Sequence, residues 1–167
     1  MIKIGFGTNN KPHSMLIRWA TGSPWSHVWI EYESQLWGGW WAAHSGPTGV
    51  AKVPLIKLLE EYPNNVRFFC NADVDAGFSW AHIAVGAPYD YGVIWNGLLY
   101  AVHRATKWQF LRKMAARNTA RYTCSEFVTG FLKASKIRSV AGLDPELTPP
   151  GDLYRVVEQS GEFLLSV

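Results

Sequence analysis

The chain has 167 residues, of which 48% are hydrophobic and 17% charged, with nine Trp and a formal net charge of +3. This is close to the size of one domain, long enough to bury a core without disulfide or metal support, and too apolar for a disordered chain. So mild a positive charge argues by itself for neither a nucleic-acid nor a membrane partner, and leans only towards anionic ones.

The segment from Met1 to Gly7 lacks the basic start, apolar stretch and small-residue cleavage site of a secretory signal. No run approaches the ~18 apolar residues of a membrane span, so a cytoplasmic protein as synthesised is expected. Ile2 to Phe6 alternates as a first strand, and Gly7 to Pro12 is dense in turn formers. Met15 to Thr21 reads as a short helix. After Thr21-Gly22-Ser23-Pro24, the β-branched and aromatic residues of Trp25 to Tyr32 predict a strand carrying His27. Gly38-Gly39 interrupts, Trp40 to His44 reads as a paired strand, and Ser45 to Gly49 as the turn that closes it.

Leu55 to Tyr62 has helical spacing and stops before Pro63. Val66 to Cys70 predicts a core strand, Phe78 to Val85 a helix, and Tyr91 or Gly92 to Arg104 a further apolar helix. Arg121 to Lys136 is the strongest helical pattern in the later part. A Pro-rich loop follows, then a helix from Leu153 to Gln159 with Asp152 as its cap, and an apolar tail from Phe163 to Val167 that suits an edge strand. Strands come first and helices later, which predicts an α+β fold in one domain spanning residues 1–167.

Two cysteines are present, and neither sits in a CxxC or Cys/His pattern with metal spacing. Two free thiols are expected, with no metal and no cofactor. Cys70 ends an apolar run and belongs to the core. Cys124, in Tyr122-Thr123-Cys124-Ser125-Glu126-Phe127-Val128, opens a helix whose later residues form a buried face. A thiol at the positive end of a helix, with an imidazole nearby, has its pKa lowered and becomes the thiolate of nucleophilic catalysis. A small residue packed under the helix is the alternative.

Of the five histidines, His27 sits mid-strand, where a rigid scaffold can hold its ring against a distant thiol. His44, on the next strand, could fix the tautomer of His27; a solvent-facing strand end is the alternative. Glu31, on the same strand face as His27, is the fallback orienting residue. His13, His82 and His103 read as structural or exposed.

Four segments in order, Ser26-His27-Val28-Trp29-Ile30, Tyr89-Asp90-Tyr91, Tyr122 to Val128, and Leu147-Thr148-Pro149-Pro150-Gly151-Asp152-Leu153, resemble the circularly permuted branch of the NlpC/P60 superfamily. That branch also includes lecithin retinol acyltransferase-like proteins. The resemblance spans about Ile2 to Leu153 and implies a permuted papain-like fold, with an antiparallel sheet packed on helices and the nucleophile at a helix N-terminus. By position, Cys124 matches the nucleophile, His27 the base and His44 the third polar residue.

The implied reaction is attack of Cys124 on a carbonyl and an acyl-enzyme resolved by water or another nucleophile. Tyr89 or Tyr122 could place a hydroxyl near the oxyanion or substrate, and Trp25 is one of several tryptophans that could line a cleft. The resemblance makes amide bonds of peptidoglycan peptides the expected substrate, in an endopeptidase or amidase that could be bacteriophage-encoded and act in a virion or at the host envelope. A lipid-directed acyltransferase or thioesterase, and a non-catalytic module on the same fold, remain alternatives. Between Arg104 and Arg121 lie six Lys or Arg and no Asp or Glu; this stretch could touch an anionic surface, although a solvated helix face explains it as well. No nucleic-acid partner is expected, and the chain is expected to be a monomer.

Overall fold

A computed structural model of the chain describes residues 1–91 and 121–166. Its first strands are β1 (Ile2–Thr8), β2 (His27–Glu33), β3 (Trp40–Gly46), β4 (Gly49–Pro54) and β5 (Asn64–Cys70). The last strand is β6 (Phe163–Leu165), and all six form one sheet in the order β4-β3-β2-β1-β5-β6, with every pairing antiparallel. Helix α1 (Pro12–Thr21) connects β1 to β2, and α2 (Leu55–Glu61) connects β4 to β5. Helices α3 (Asp75–Ala84), α4 (Cys124–Ala134) and α5 (Pro150–Gln159) complete an α+β fold with five α-helices among the described residues. None of the helices in these regions is long and apolar enough to cross a membrane.

The period-2 alternation of strands gives the two faces of the sheet different jobs. Ile2, Ile4 and Phe6 of β1, Val28 and Ile30 of β2 and Phe68 of β5 share one face and pack on Phe127, Val128, Phe131 and Leu132 of α4 and Leu153 and Val157 of α5. The other face carries a smaller cluster: Trp29 and Ala42 under Leu55, Leu58 and Tyr62. In register across β1 and β2, Gly5 stands opposite Trp29 and Gly7 opposite His27. A Cβ at Gly5 would lie 2.3 Å from the Trp29 indole, and one at Gly7 2.8 Å from both Trp29 and Tyr62. These glycines leave the slot in which the large ring lies.

Several boundaries differ from the sequence expectations. The turn read at Ser45 to Gly49 is the tip of a β3–β4 hairpin in which Gly46 pairs with Gly49, and β4 was not anticipated. Gly49, at φ +101°, also lets the Ala87 carbonyl approach to within 2.3 Å of where a Cβ would be. Helix α3 starts at Asp75, whose N–H donates to Asp73 Oδ1 at 3.0 Å, rather than at Phe78, and Gly77 in its first turn leaves room for Phe131 and Ser135. Helix α5 starts at Pro150 with Pro149 at its N-cap, so Asp152 lies in the first turn and does not cap. Apart from Tyr91 and Arg121, the apolar helix read up to Arg104 and the basic stretch up to Arg121 fall outside the described residues, as does His103.

Candidate active site

The strong helical pattern read from Arg121 becomes a helix only at Cys124. Thr123 is its N-cap: its Oγ1 accepts from Glu126 N at 3.2 Å, and the Glu126 carboxylate accepts from Thr123 N at 3.2 Å. This reciprocal capping box fixes the first turn. Thr123→Ala should therefore lower stability by about 1 kcal/mol in chemical denaturation; an unchanged midpoint would mean that the box contributes nothing.

Cys124 is the first helical residue; it is 3% exposed, and its thiol donates to Ser26 O at 3.9 Å. Burial pushes the thiol up to about 11, against the pull of the Val28, Ser125 and Cys124 amides. The depressed thiol expected of a helix start is thus reversed. The amides and the helix end do favour the thiolate, but removing that charge from water outweighs them. Cys70, also free and buried, is likewise pushed up by burial.

His27, read as mid-strand, is instead the first residue of β2, beside this thiol-bearing contact, since Ser26 is its neighbour in the chain. Its Nε2 lies 3.0 Å from His44 Nδ1. Its ring stacks on Tyr62, with centroids 4.6 Å apart and planes 13° from parallel. Burial first, then His44 and His13, holds His27 well below the usual imidazole value. His44 is pushed down to about 4 by burial, with Glu61 opposing. The pair therefore rests neutral at neutral pH. Gly46 leaves room for the His44 ring, since a Cβ there would meet Cε1 at 2.8 Å.

Buried hydroxyls lock the surroundings. Ser14 of α1 bonds to Ser26 and to Thr8 of β1, the latter at 3.3 Å, and Ser45 Oγ donates to Tyr122 O at 2.6 Å. The first two tie α1 to β1 and to the residue before β2, and the third ties β3 to the segment before α4. Next to them lies a cavity of about 260 Å³, with Leu16, Ile17 and Ala20 of α1, Tyr62, Tyr89 and Tyr91 among its lining residues. Ser26, His27 and His13 also line it, whereas Cys124 rests against the Ser26 carbonyl.

The site residues read from the sequence do not all meet here. Cys124, His27 and His44 gather around the Ser26–His27 segment, and Tyr89 lines the cavity. The Tyr122 ring instead packs on Trp80, centroids 5.5 Å apart, leaving only its carbonyl to act near the site. The Trp25 ring packs on Tyr154 at 5.4 Å, in the main core. Glu31 shares the face of His27 but accepts from Trp29 Nε1 at 2.9 Å, while the His27 ring nitrogen meets His44. His13, read as structural or exposed, is exposed and also lines the cavity. Tyr62 escaped the sequence reading because a residue before Pro63 carries no local sign of a long-range stack.

The fold thus defines an α+β protein with a six-stranded antiparallel sheet and a helix that begins at a buried cysteine. No family model matches the chain, and no curated protein sequence matches it. Among solved structures it is similar to the metalloprotein YiiX from Escherichia coli O157:H7, DUF1105, at a TM-score of 0.65 and 14% identity, over 99% of this chain and 94% of that one. At that identity the likeness is one of fold.

Proposed function

We propose that the chain is a permuted papain-like cysteine hydrolase of the NlpC/P60 type, forming an acyl-enzyme at Cys124. The observation that carries this reading is the 3.0 Å contact between His27 Nε2 and His44 Nδ1, next to the peptide that holds the Cys124 thiol. When His27 Nε2–H donates to His44, the Nδ1 of His27 is left as a bare acceptor, the form a general base needs. The order of the chain, with the histidine strand before the cysteine helix, fits the permuted branch.

The thiol proton passes to His27 as sulfur bonds to the substrate carbonyl carbon, and the oxyanion faces backbone N–H groups at the start of α4. His27 then gives the proton to the leaving nitrogen or oxygen, and the C–N or C–O bond breaks. Water resolves the thioester to a carboxylic acid and restores the thiol. YiiX is a metalloprotein. Among the described residues of this chain, no three His, Cys, Asp or Glu side chains form a group that could hold a metal, and no step here runs through one.

Amides of peptidoglycan peptides are the first substrate class. The apolar and aromatic lining of the cavity favours a second: carbonyls bearing an acyl chain, in a thioesterase or acyltransferase. Incubation with activated acyl esters of short and long chain, and separately with peptidoglycan fragments, followed by intact-protein mass spectrometry, tests both. An acyl adduct on Cys124 that is absent from Cys124→Ala is expected. A lack of any adduct or turnover with every substrate would leave a non-catalytic module as the better account.

A further inference from the structure

The sheet face that carries His27 holds a second pocket at its other end. Lys3, Glu31, Trp40 and Arg67 line it from the strands, and Leu55, Ile56 and Leu59 from α2, around about 340 Å³. Glu31 lies four residue steps along β2 from His27, roughly 13 Å at the rise of a strand. Helix α2 lies between the two, with Tyr62 at its C-terminal end on the first cavity and Leu55 and Ile56 on the second.

Glu31 has no exposed surface, and its Oε1 accepts from Trp29. Its Oε2 is buried without a hydrogen-bond partner, with Arg67 Nη1 3.9 Å away. A buried acceptor left this way costs free energy that a donor arriving from a ligand would recover. Around it stand an exposed aromatic, Trp40, and two cations, Lys3 and Arg67. Lys3 Nζ lies 5.0 Å from the Trp40 ring centroid and 4.4 Å from that of Phe69. A simple anion brings no donor for Glu31 Oε2, and a metal cation would be repelled by Lys3 and Arg67. A purely apolar ligand would leave Oε2 without a hydrogen bond. What fits is a neutral ring with an apolar C–H face for the indole and several hydroxyls that both donate and accept.

We propose that this pocket binds a saccharide ring, whose hydroxyl donates to Glu31 Oε2 and whose other oxygens accept from Lys3 and Arg67 while its apolar face lies on Trp40. The site stands apart from the chemistry at Cys124 and does not depend on it.

The test is a titration of the ¹⁵N-labelled full chain with triacetylchitotriose and with maltotriose, followed through the indole N–H signals. Trp29, bonded to Glu31, is a built-in reporter. Saturable shifts of the Trp29 and Trp40 signals are expected with at least one sugar. Glu31→Gln should weaken binding about tenfold or more, as losing a hydrogen bond to a charged group does. Ile56→Trp, at an exposed rim position, should abolish binding by filling the pocket, and Cys124→Ala should leave it unchanged. The proposal is overturned if neither sugar moves these signals, if the shifts survive Ile56→Trp, or if inorganic phosphate alone reproduces them.

Discussion

Under the proposed Cys124–His27 mechanism, replacing His27 with Ala is expected to slow acyl-enzyme formation by about 10²- to 10⁴-fold, the usual contribution of a positioned general base. His44→Ala should cost less, since it removes the orienting partner at 3.0 Å and leaves the base in place. The same variants separate two ways of activating the thiol. In the resting protein burial holds Cys124 up at about 11 and His27 well below its usual value, so the sites hold a thiol and a neutral imidazole, not an ion pair. Iodoacetamide should therefore modify Cys124 slowly at neutral pH and faster only as the solution turns strongly alkaline. His27→Ala should leave that alkylation profile in place while slowing acyl transfer, because in the proposed mechanism the imidazole acts on the thiol proton only as the carbon–sulfur bond forms. A plateau of fast alkylation at mildly acid pH, lost in His27→Ala, would refute the neutral pair and establish a thiolate–imidazolium. Acylation indifferent to His27 would remove the hydrolase reading altogether.

The neutral histidines also set a direction for stability. His27 and His44 take up protons more readily in the unfolded chain, near the ordinary imidazole pKa of about 6.5, than in the fold. Their contribution is complete above that value and is lost as pH falls through the window down to about 4 for His44.

The strands around His27 were legible because their cues are local: alternation in Ile2 to Phe6, β-branched and aromatic residues before Tyr32, and glycines at the turns. The start of α4 was readable once Thr123 and Glu126 are seen as a capping box three residues apart, which places Cys124 at the first helical position. β4 was not read because Val50 and Val53, three apart, fall on opposite faces of a strand and show no period-2 alternation, directly after a glycine turn. Other features depend on partners far apart in the chain. Nothing near Tyr62 shows that it will stack on His27, and nothing near His27 shows that its Nε2 will meet His44. The sign of the Cys124 shift had the same origin. The helix start is visible in the sequence, whereas the burial that outweighs it is a property of the assembled core.

Trp29→Ala should be among the most destabilising single changes in the chain. The ring is fully buried, and deleting such a side chain costs about 3–5 kcal/mol in cavity and transfer terms. It also takes the donor from Glu31 Oε1, and a buried carboxylate without that bond costs a further ~1–3 kcal/mol or more. Against a usual total of about 5–15 kcal/mol, the variant should be largely unfolded or have a much reduced urea midpoint. Trp29→Phe, which keeps a ring but not the N–H, should fall between the two. Gly5→Ala reaches the same place from the opposite strand, because its new Cβ would enter the indole at 2.3 Å, and overpacking of this kind costs about 1–3 kcal/mol or more. The two substitutions should then couple. With the indole gone, Gly5→Ala has no ring to strike, so its cost should drop sharply when it is measured in the Trp29→Phe background, where the smaller ring relieves most of the clash and the protein stays folded enough to titrate. Additive costs would show instead that Gly5 is needed for the backbone path of β1 itself and that Trp29 is not what the glycine makes room for.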